Sequence, residues 1–245
     1  MLLRVFSIAY WIFAVLTMVP FFLAAVVIRV LTFAFDRRRI AQHLWSCVWA
    51  QFYVWTNPLW TNRVIGREKL PWDGAAVLVA NHASILDIMV MYALYRPFKW
   101  VAKAELMRTP FIGWNMHLND YVSVRRGDRE SIVRMMNDCR RHLAAGSPLM
   151  IFPEGTRSST GELGAFKDGA FKLAREAGCP VFPIALRGTG ESMPKHGLIL
   201  RKRMDAVVQV LDPLHPGDYA SNEAMREAAR ERIAAALAAP APAKA

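Results

Sequence analysis

Residues 5–28 carry no charged side chain, and apolar residues cover every face of the helix they predict. At 1.5 Å per residue such a helix runs about 36 Å, against a bilayer hydrocarbon core of about 30 Å. Pro20 lies inside the run and predicts a kink or a split. A second helix is expected over residues 40–55, holding Trp45, Trp49, Phe52, Tyr53 and Trp55, and ended by Asn57-Pro58. After Trp60 the pattern changes. Short apolar runs at residues 75–80, 99–102, 121–124, 149–152, 181–186 and 206–210 read as strands. Helical periodicity marks residues 86–95, 129–145, 166–176 and 222–237, with Gly146 and Gly178 as stops and Ser221 as a cap. Alternating strands and helices predict the α/β class: a mixed sheet flanked by helices, preceded by a membrane-associated helical segment. The chain divides into anchoring helices over residues 1–58, a main domain over 59–239 and a frayed tail over 240–245.

The first helix is too long for a signal-peptide core and lacks a small-residue cleavage site before a polar start. It either crosses the bilayer or pairs with the second helix in a hairpin half-sunk in one leaflet. A buried soluble pair fits less well, because the run is apolar all round. Tryptophan and tyrosine in the second helix suit the headgroup level. Arg4 precedes the apolar run, and Arg29, Arg37, Arg38 and Arg39 follow it. If the first helix spans, that asymmetry places the main domain on the cytoplasmic side of a cell membrane, in a bacterium the inner one.

Two strings then carry chemistry. Asn81-His82-Ala83-Ser84-Ile85-Leu86-Asp87 follows the run at 75–80, and Phe152-Pro153-Glu154-Gly155-Thr156-Arg157 ends the run at 149–152. On a regular helix His82 and Asp87 would be about 140° out of phase. They meet only if His82 lies on a non-helical turn with Asp87 just inside the helix. Asp87 then accepts from Nδ1 and leaves Nε2 as a base. A plainer reading gives Asp87 to the helix N-terminus, with Ser84 as cap. In the second string Gly155 allows close backbone approach to an anion, Thr156 offers a hydroxyl, and Arg157 grips phosphate through two N–H groups. Taken alone, Gly-Thr-Arg is a surface turn. Lys103 and Arg125-Arg126 end two further runs, so basic residues converge on what the pattern makes one sheet edge.

Composition narrows the partners. The 245 residues are 54% hydrophobic and carry a net charge of +11, which suits an anionic membrane surface and anionic substrates. Nucleic acid is the rival reading of the charge, but zinc-finger spacing, an RNP-type aromatic run and a basic low-complexity arm are all missing. Cys47, Cys139 and Cys179 are too few and too scattered for a disulfide framework or a thiolate site. The six histidines show no H-E-x-x-H spacing, so no metal is expected. There is neither a G-x-S-x-G elbow nor a phosphate loop. Ser192-Met193-Pro194-Lys195 matches S-x-x-K in a loop and reads as chance.

With these residues the chain resembles the membrane-bound 1-acylglycerol-3-phosphate (lysophosphatidate) acyltransferases. Their N-H-x-S-x-x-D motif stands as Asn81 to Asp87, and F-P-E-G-T-R-S as Phe152 to Ser158. A run ending in Arg stands as Val122-Ser123-Val124-Arg125-Arg126, an apolar-Pro-apolar strand as Val181-Phe182-Pro183-Ile184, and Val101 to Leu106 resembles the segment after the first motif. Ala83 replaces the commoner Gln, and Arg125 the usual acidic residue.

The resemblance implies transfer of a fatty acyl chain from a thioester to the free sn-2 hydroxyl of 1-acylglycerol-3-phosphate, giving phosphatidate for phospholipid synthesis. His82 and Asp87 would be catalytic. Lys103, Arg126, Glu154, Gly155, Thr156 and Arg157 would bind substrate. No cofactor is implied; acyl-coenzyme A or acyl carrier protein supplies the thioester, which makes the carrier protein a candidate partner beside the membrane and its lipid. The alternatives are another lyso-lipid acceptor, a membrane-anchored lipid hydrolase using Ser84 or water, and a non-catalytic lipid-binding module.

Overall fold

A computed structural model describes residues 2–158, 162–190, 192 and 203–241. Among them the elements run α1 (Leu2–Thr32), α2 (Ile40–Thr56), β1 (Trp60–Ile65), β2 (Val77–Ala80), α3 (Leu86–Met91), β3 (Lys99–Lys103), α4 (Ile112–Leu118), β4 (Val122–Val124), α5 (Arg129–Ala144), β5 (Leu149–Ile151), α6 (Gly169–Glu176), β6 (Val181–Arg187), β7 (Met204–Val210) and α7 (Asn222–Ala238). The strands form one sheet in the order β1-β7-β6-β2-β5-β3-β4. From β6 to β4 every pairing is parallel; β7 is antiparallel to β6 and carries β1 alongside it. The sheet is therefore mixed. Five parallel strands, β6, β2, β5, β3 and β4, end at one edge.

Each strand turns alternate residues to opposite faces. Leu78, Ala80 and Met150 pack with Tyr10, Cys47, Val54 and Leu86 on one face. Val77, Val79 and Leu149 pack with Cys139, Phe171, Leu173 and Met225 on the other. So α1, α2 and α3 cover one face, and α5, α6 and α7 the other. The helices within 1–58 thus share a core with the sheet.

Pro20 does not split α1, which runs helical from Leu2 to Thr32. Its neighbour Phe21 lies on Trp49 at 5.7 Å, nearly coplanar, and touches Trp45 and Phe52. That packing holds the turn where proline removes a hydrogen bond. The opposite face of α1, including Ile12, Leu16, Leu23 and Val27, is exposed. By length and composition α1 is apolar enough to cross a bilayer.

The arginines after α1 have local duties. Arg38 Nη1 donates to Gly146 O at 2.7 Å, and Arg39 Nη1 to His117 O and Leu118 O at 2.7 and 2.9 Å. Both bind carbonyls at helix ends of the main domain. Buried Lys99 donates from Nζ to Arg38 O at 2.8 Å and Asn119 O at 2.6 Å, and burial lowers its pKa to about 7. The α1–α2 turn is thus tied to the sheet.

Two elements escape the apolar pattern. β1 is an edge strand interrupted by Asn62 and Arg63, and α4 is short and follows Pro110. The helix expected at 166–176 begins at Gly169, because Lys167 N is held by Pro153 O at 2.9 Å. Of the expected tail, residues 242–245 lie outside the described residues, as do three of the four S-x-x-K residues, Met193 to Lys195.

Candidate active site

β2 ends at Ala80, and the amide of buried Asn81 fastens that end to β6. Nδ2 donates to Leu186 O at 3.0 Å, and Oδ1 accepts from Leu186 N at 2.8 Å. Residues 82–85 are not helical, so His82 stands on a turn, as the phase argument requires. Nδ1 of His82 lies 2.8 Å from Asp87 Oδ2. The same oxygen accepts from Ala83 N at 2.7 Å and Ser84 N at 2.8 Å. Asp87 thus holds the turn before α3 and the imidazole at once, while the cap position falls on Ile85 rather than on Ser84. Its other oxygen accepts the hydroxyl of buried Thr189. Ser84 Oγ accepts from Leu86 N at 3.3 Å.

A carboxylate at Nδ1 holds the proton there and leaves the lone pair on Nε2. The Phe152 ring fixes the imidazole plane, with centroids 4.0 Å apart and planes 8° apart, and Trp100 backs Phe152 at 5.5 Å. The second string also grips the His82 backbone. His82 N donates to Glu154 Oε1 at 2.7 Å, and Ser158 N donates to His82 O at 2.8 Å. Glu154 Oε2 accepts from Gly164 N at 3.0 Å.

Glu154 is therefore a brace. Both its oxygens are taken by backbone N–H groups, and it does not line the cavity described below. A carboxylate would also repel an anionic ligand. Glu154→Gln should lower Tm by about 4–8 °C, from a loss of about 2 kcal/mol in charge-assisted hydrogen bonding, and should slow turnover as His82 loosens. Thermal melts and kcat check this; unchanged values in both would remove the brace.

A cavity of about 910 Å³ opens at His82. Its wall includes Tyr10, Trp49, Tyr53 and Met89 on the α1–α2 face, and Met135, Met136 and Leu173 on the α5–α6 face. Lys103, Arg126, Gly155, Thr156 and Arg157 line it too. Lys103 lies 3.6 Å from Glu105, whereas Arg126 and Arg157 have no carboxylate partner among the described residues.

Two residues of this site were not read from the sequence. Lys167 lines the cavity and folds over Gly155; a Cβ built on that glycine, at φ +71°, would lie 2.7 Å from Lys167 Nζ. It was hidden in the supposed first turn of a helix. Thr189 stands 102 positions from its partner Asp87. Its one signal is the strand-to-glycine turn Arg187-Gly188-Thr189 after β6, which echoes Gly155-Thr156 after β5. The cysteines are buried, and burial pushes the Cys139 and Cys179 thiols up to about 12 and 11, so neither supplies a thiolate near neutrality.

The sequence model of the family described as "Acyltransferase" matches residues 62–187. A 1-acyl-sn-glycerol-3-phosphate acyltransferase of Chlamydomonas reinhardtii is 38% identical over 97% of this chain and 71% of its own. The chloroplastic enzyme of that name from Arabidopsis thaliana is 37% identical over 76% of this chain and 53% of its own. That of Pseudomonas aeruginosa is 31% identical over 61% and 59%. The crystal structure of the 1-acyl-sn-glycerophosphate (LPA) acyltransferase from Thermotoga maritima superposes with a TM-score of 0.70 at 22% identity, covering 95% of this chain and 100% of that one.

Proposed function

The chain belongs to the acyltransferase family that includes these 1-acyl-sn-glycerol-3-phosphate acyltransferases, and from that premise we infer that it acylates the free sn-2 hydroxyl of 1-acylglycerol-3-phosphate. One observation carries the reading of the site. His82 is oriented through Nδ1 by Asp87, at a cavity that joins apolar walls to cations, of which Arg126 and Arg157 have no carboxylate partner among the described residues.

The acceptor hydroxyl gives its proton to Nε2 as its oxygen attacks the thioester carbonyl. Asp87 stabilises the imidazolium that forms. Collapse of the tetrahedral intermediate breaks the C–S bond, and the imidazolium returns the proton to the departing thiolate. The acceptor supplies the nucleophile, so no acyl-enzyme forms. Gly155, Thr156 and Arg157 follow β5, the strand beside β2, and sit next to His82 for the acceptor's phosphate. Lys103 reaches in from β3 on a long stem, and Lys167 covers Gly155 from above.

A hydrolase using Ser84 is disfavoured by geometry. Its hydroxyl is buried and faces the α3 backbone. A purified-enzyme assay with a panel of lyso-lipids, each with acyl-coenzyme A and acyl carrier protein, tests the reading. Lysophosphatidate should be the preferred acceptor; equal rates on uncharged lyso-lipids would contradict the phosphate clamp.

The outward face of α1 supports membrane association in which the α1–α2 pair lies in one leaflet, because its other face is committed to α2 and the core. The basic flank of α1, Arg29 and Arg37, favours the cytoplasmic leaflet for that pair. Changing exposed Ile12, Leu16 and Leu23 to Asp should weaken vesicle binding at least about tenfold, since each buried leucine-sized side chain contributes about 1.5–3 kcal/mol. Activity on a short-chain, water-soluble acceptor should persist. A triple variant that still floats with liposomes would place the anchor elsewhere.

A further inference from the structure

The cavity is lined from both faces of the sheet, which divides it into two arms about His82 at the end of β2. The first arm runs under α1 and α2, whose outer surface is apolar. The second runs between α5 and α6, lined by Ile132, Met135, Met136, Ala170 and Leu173, with Arg126 at its rim. Reaction stoichiometry gives the arms different occupants. Both acyl chains end in the lipid product and must leave toward the membrane. The thiol carrier leaves toward water.

Resting on the acyl-transfer reading, we propose that the α5–α6 arm binds the 4′-phosphopantetheine arm of the thioester donor, and that Arg126 holds its phosphate. This parts Arg126 from the acceptor clamp.

Strand spacing supplies the ruler. The order β2-β5-β3-β4 puts the turn of His82 beside that of Gly155 and Arg157, and three strands from Arg126. Neighbouring strands are about 4.8 Å apart, so those separations are about 5 and 15 Å. In the acceptor, phosphorus lies about four bonds from the reacting oxygen, or about 5 Å at bond lengths near 1.5 Å. In a phosphopantetheine thioester, phosphorus lies about thirteen bonds from sulfur, or about 16 Å extended. The near cations match the acceptor and the far one matches the donor. Charge agrees. Arg126 is exposed and has no carboxylate partner among the described residues, while its neighbour Arg125 pairs with Asp128 at 3.7 Å. The apolar walls suit the methylenes and the gem-dimethyl group of the pantetheine.

The test is steady-state kinetics of the full-length enzyme in lipid vesicles, with lysophosphatidate as acceptor. The donors are acyl-coenzyme A, acyl carrier protein, acyl-pantetheine (no phosphate) and acyl-N-acetylcysteamine (most of the arm removed). Arg126→Gln should lower kcat/KM about tenfold or more for the phosphate-bearing donors, the share of one charge-assisted hydrogen bond. Acyl-pantetheine should be affected less than twofold, and the acceptor KM should hold. Met136→Trp, which narrows the groove, should penalise acyl-pantetheine but spare acyl-N-acetylcysteamine. Arg126 is on the surface, so its exchange remains informative even if the tryptophan variant fails to fold. Loss with one phosphate-bearing donor alone assigns the arm to that carrier. A rise in acceptor KM with donor kinetics unchanged would overturn the proposal, as would equal losses with and without the phosphate. If the wild-type enzyme transferred acyl chains from no thioester, the acyl-transfer reading itself would fall, a result no variant is needed to see.

Discussion

A His82→Ala enzyme should fold and turn over at least about 100-fold more slowly, because general-base help contributes about 100- to 10,000-fold. Its Tm should fall only slightly, since the lost stack on Phe152 is worth about 0.5–1.5 kcal/mol. Asp87→Asn should cost a comparable factor for a different reason. The amide oxygen accepts only as a neutral group, so it holds the Nδ1 proton more weakly and cannot stabilise the imidazolium by charge. It should also melt earlier than His82→Ala, because Asp87 Oδ2 holds the Ala83 and Ser84 amides. The pair of variants therefore separates chemistry from scaffolding. Near-normal turnover in a folded His82→Ala enzyme would end the mechanism. Equal thermal losses in both variants would contradict the double duty of Asp87.

The second large effect concerns Arg157. Arg157→Ala should raise the KM for lysophosphatidate by about 10- to 100-fold, as expected for losing a hydrogen bond to a charged group worth about 1.5–3 kcal/mol. Arg157→Lys should lie between that variant and wild type, because it keeps the charge and loses the two-pronged geometry. The donor KM should stay within about twofold in both. The motive is position: Arg157 follows β5, beside the strand that ends at His82, and lines the cavity half-buried without a carboxylate partner among the described residues. A rise confined to the donor KM would move Arg157 to the other substrate, and no change in either would return it to a solvated turn.

Local signals proved legible where strands end. The apolar runs before Asn81, Lys103, Arg125 and Gly155 become β2, β3, β4 and β5, so their carboxyl edge could be read from the chain. The His82 turn followed from helix phase alone. What stayed hidden depends on distant backbone. Glu154 looks like a pocket residue because it sits between Pro153 and Gly155; its partners, His82 N and Gly164 N, are set by tertiary placement. Thr189 reaches Asp87 only after β6 packs beside β2. Arg38 and Arg39 look like a membrane flank, yet both cap helices of the main domain, so they support the proposed orientation less than their charge suggests. β1 stayed hidden because Asn62 and Arg63 break its apolar pattern, and the partner that accommodates Asn62, Gln51 Oε1 of α2 at 2.7 Å, is brought to it only by the fold.

The most direct test of acyl transfer from a thioester to a lyso-lipid hydroxyl is thiol release with and without acceptor. Purified enzyme and an acyl thioester would be followed by free thiol, free fatty acid and phosphatidate. Without lysophosphatidate, thiol release should stay at background with no burst, because the enzyme supplies no nucleophile of its own. With it, thiol and phosphatidate should appear in equal amounts. Thiol and fatty acid released without acceptor, or a burst of thiol equal to the enzyme present, would contradict direct transfer.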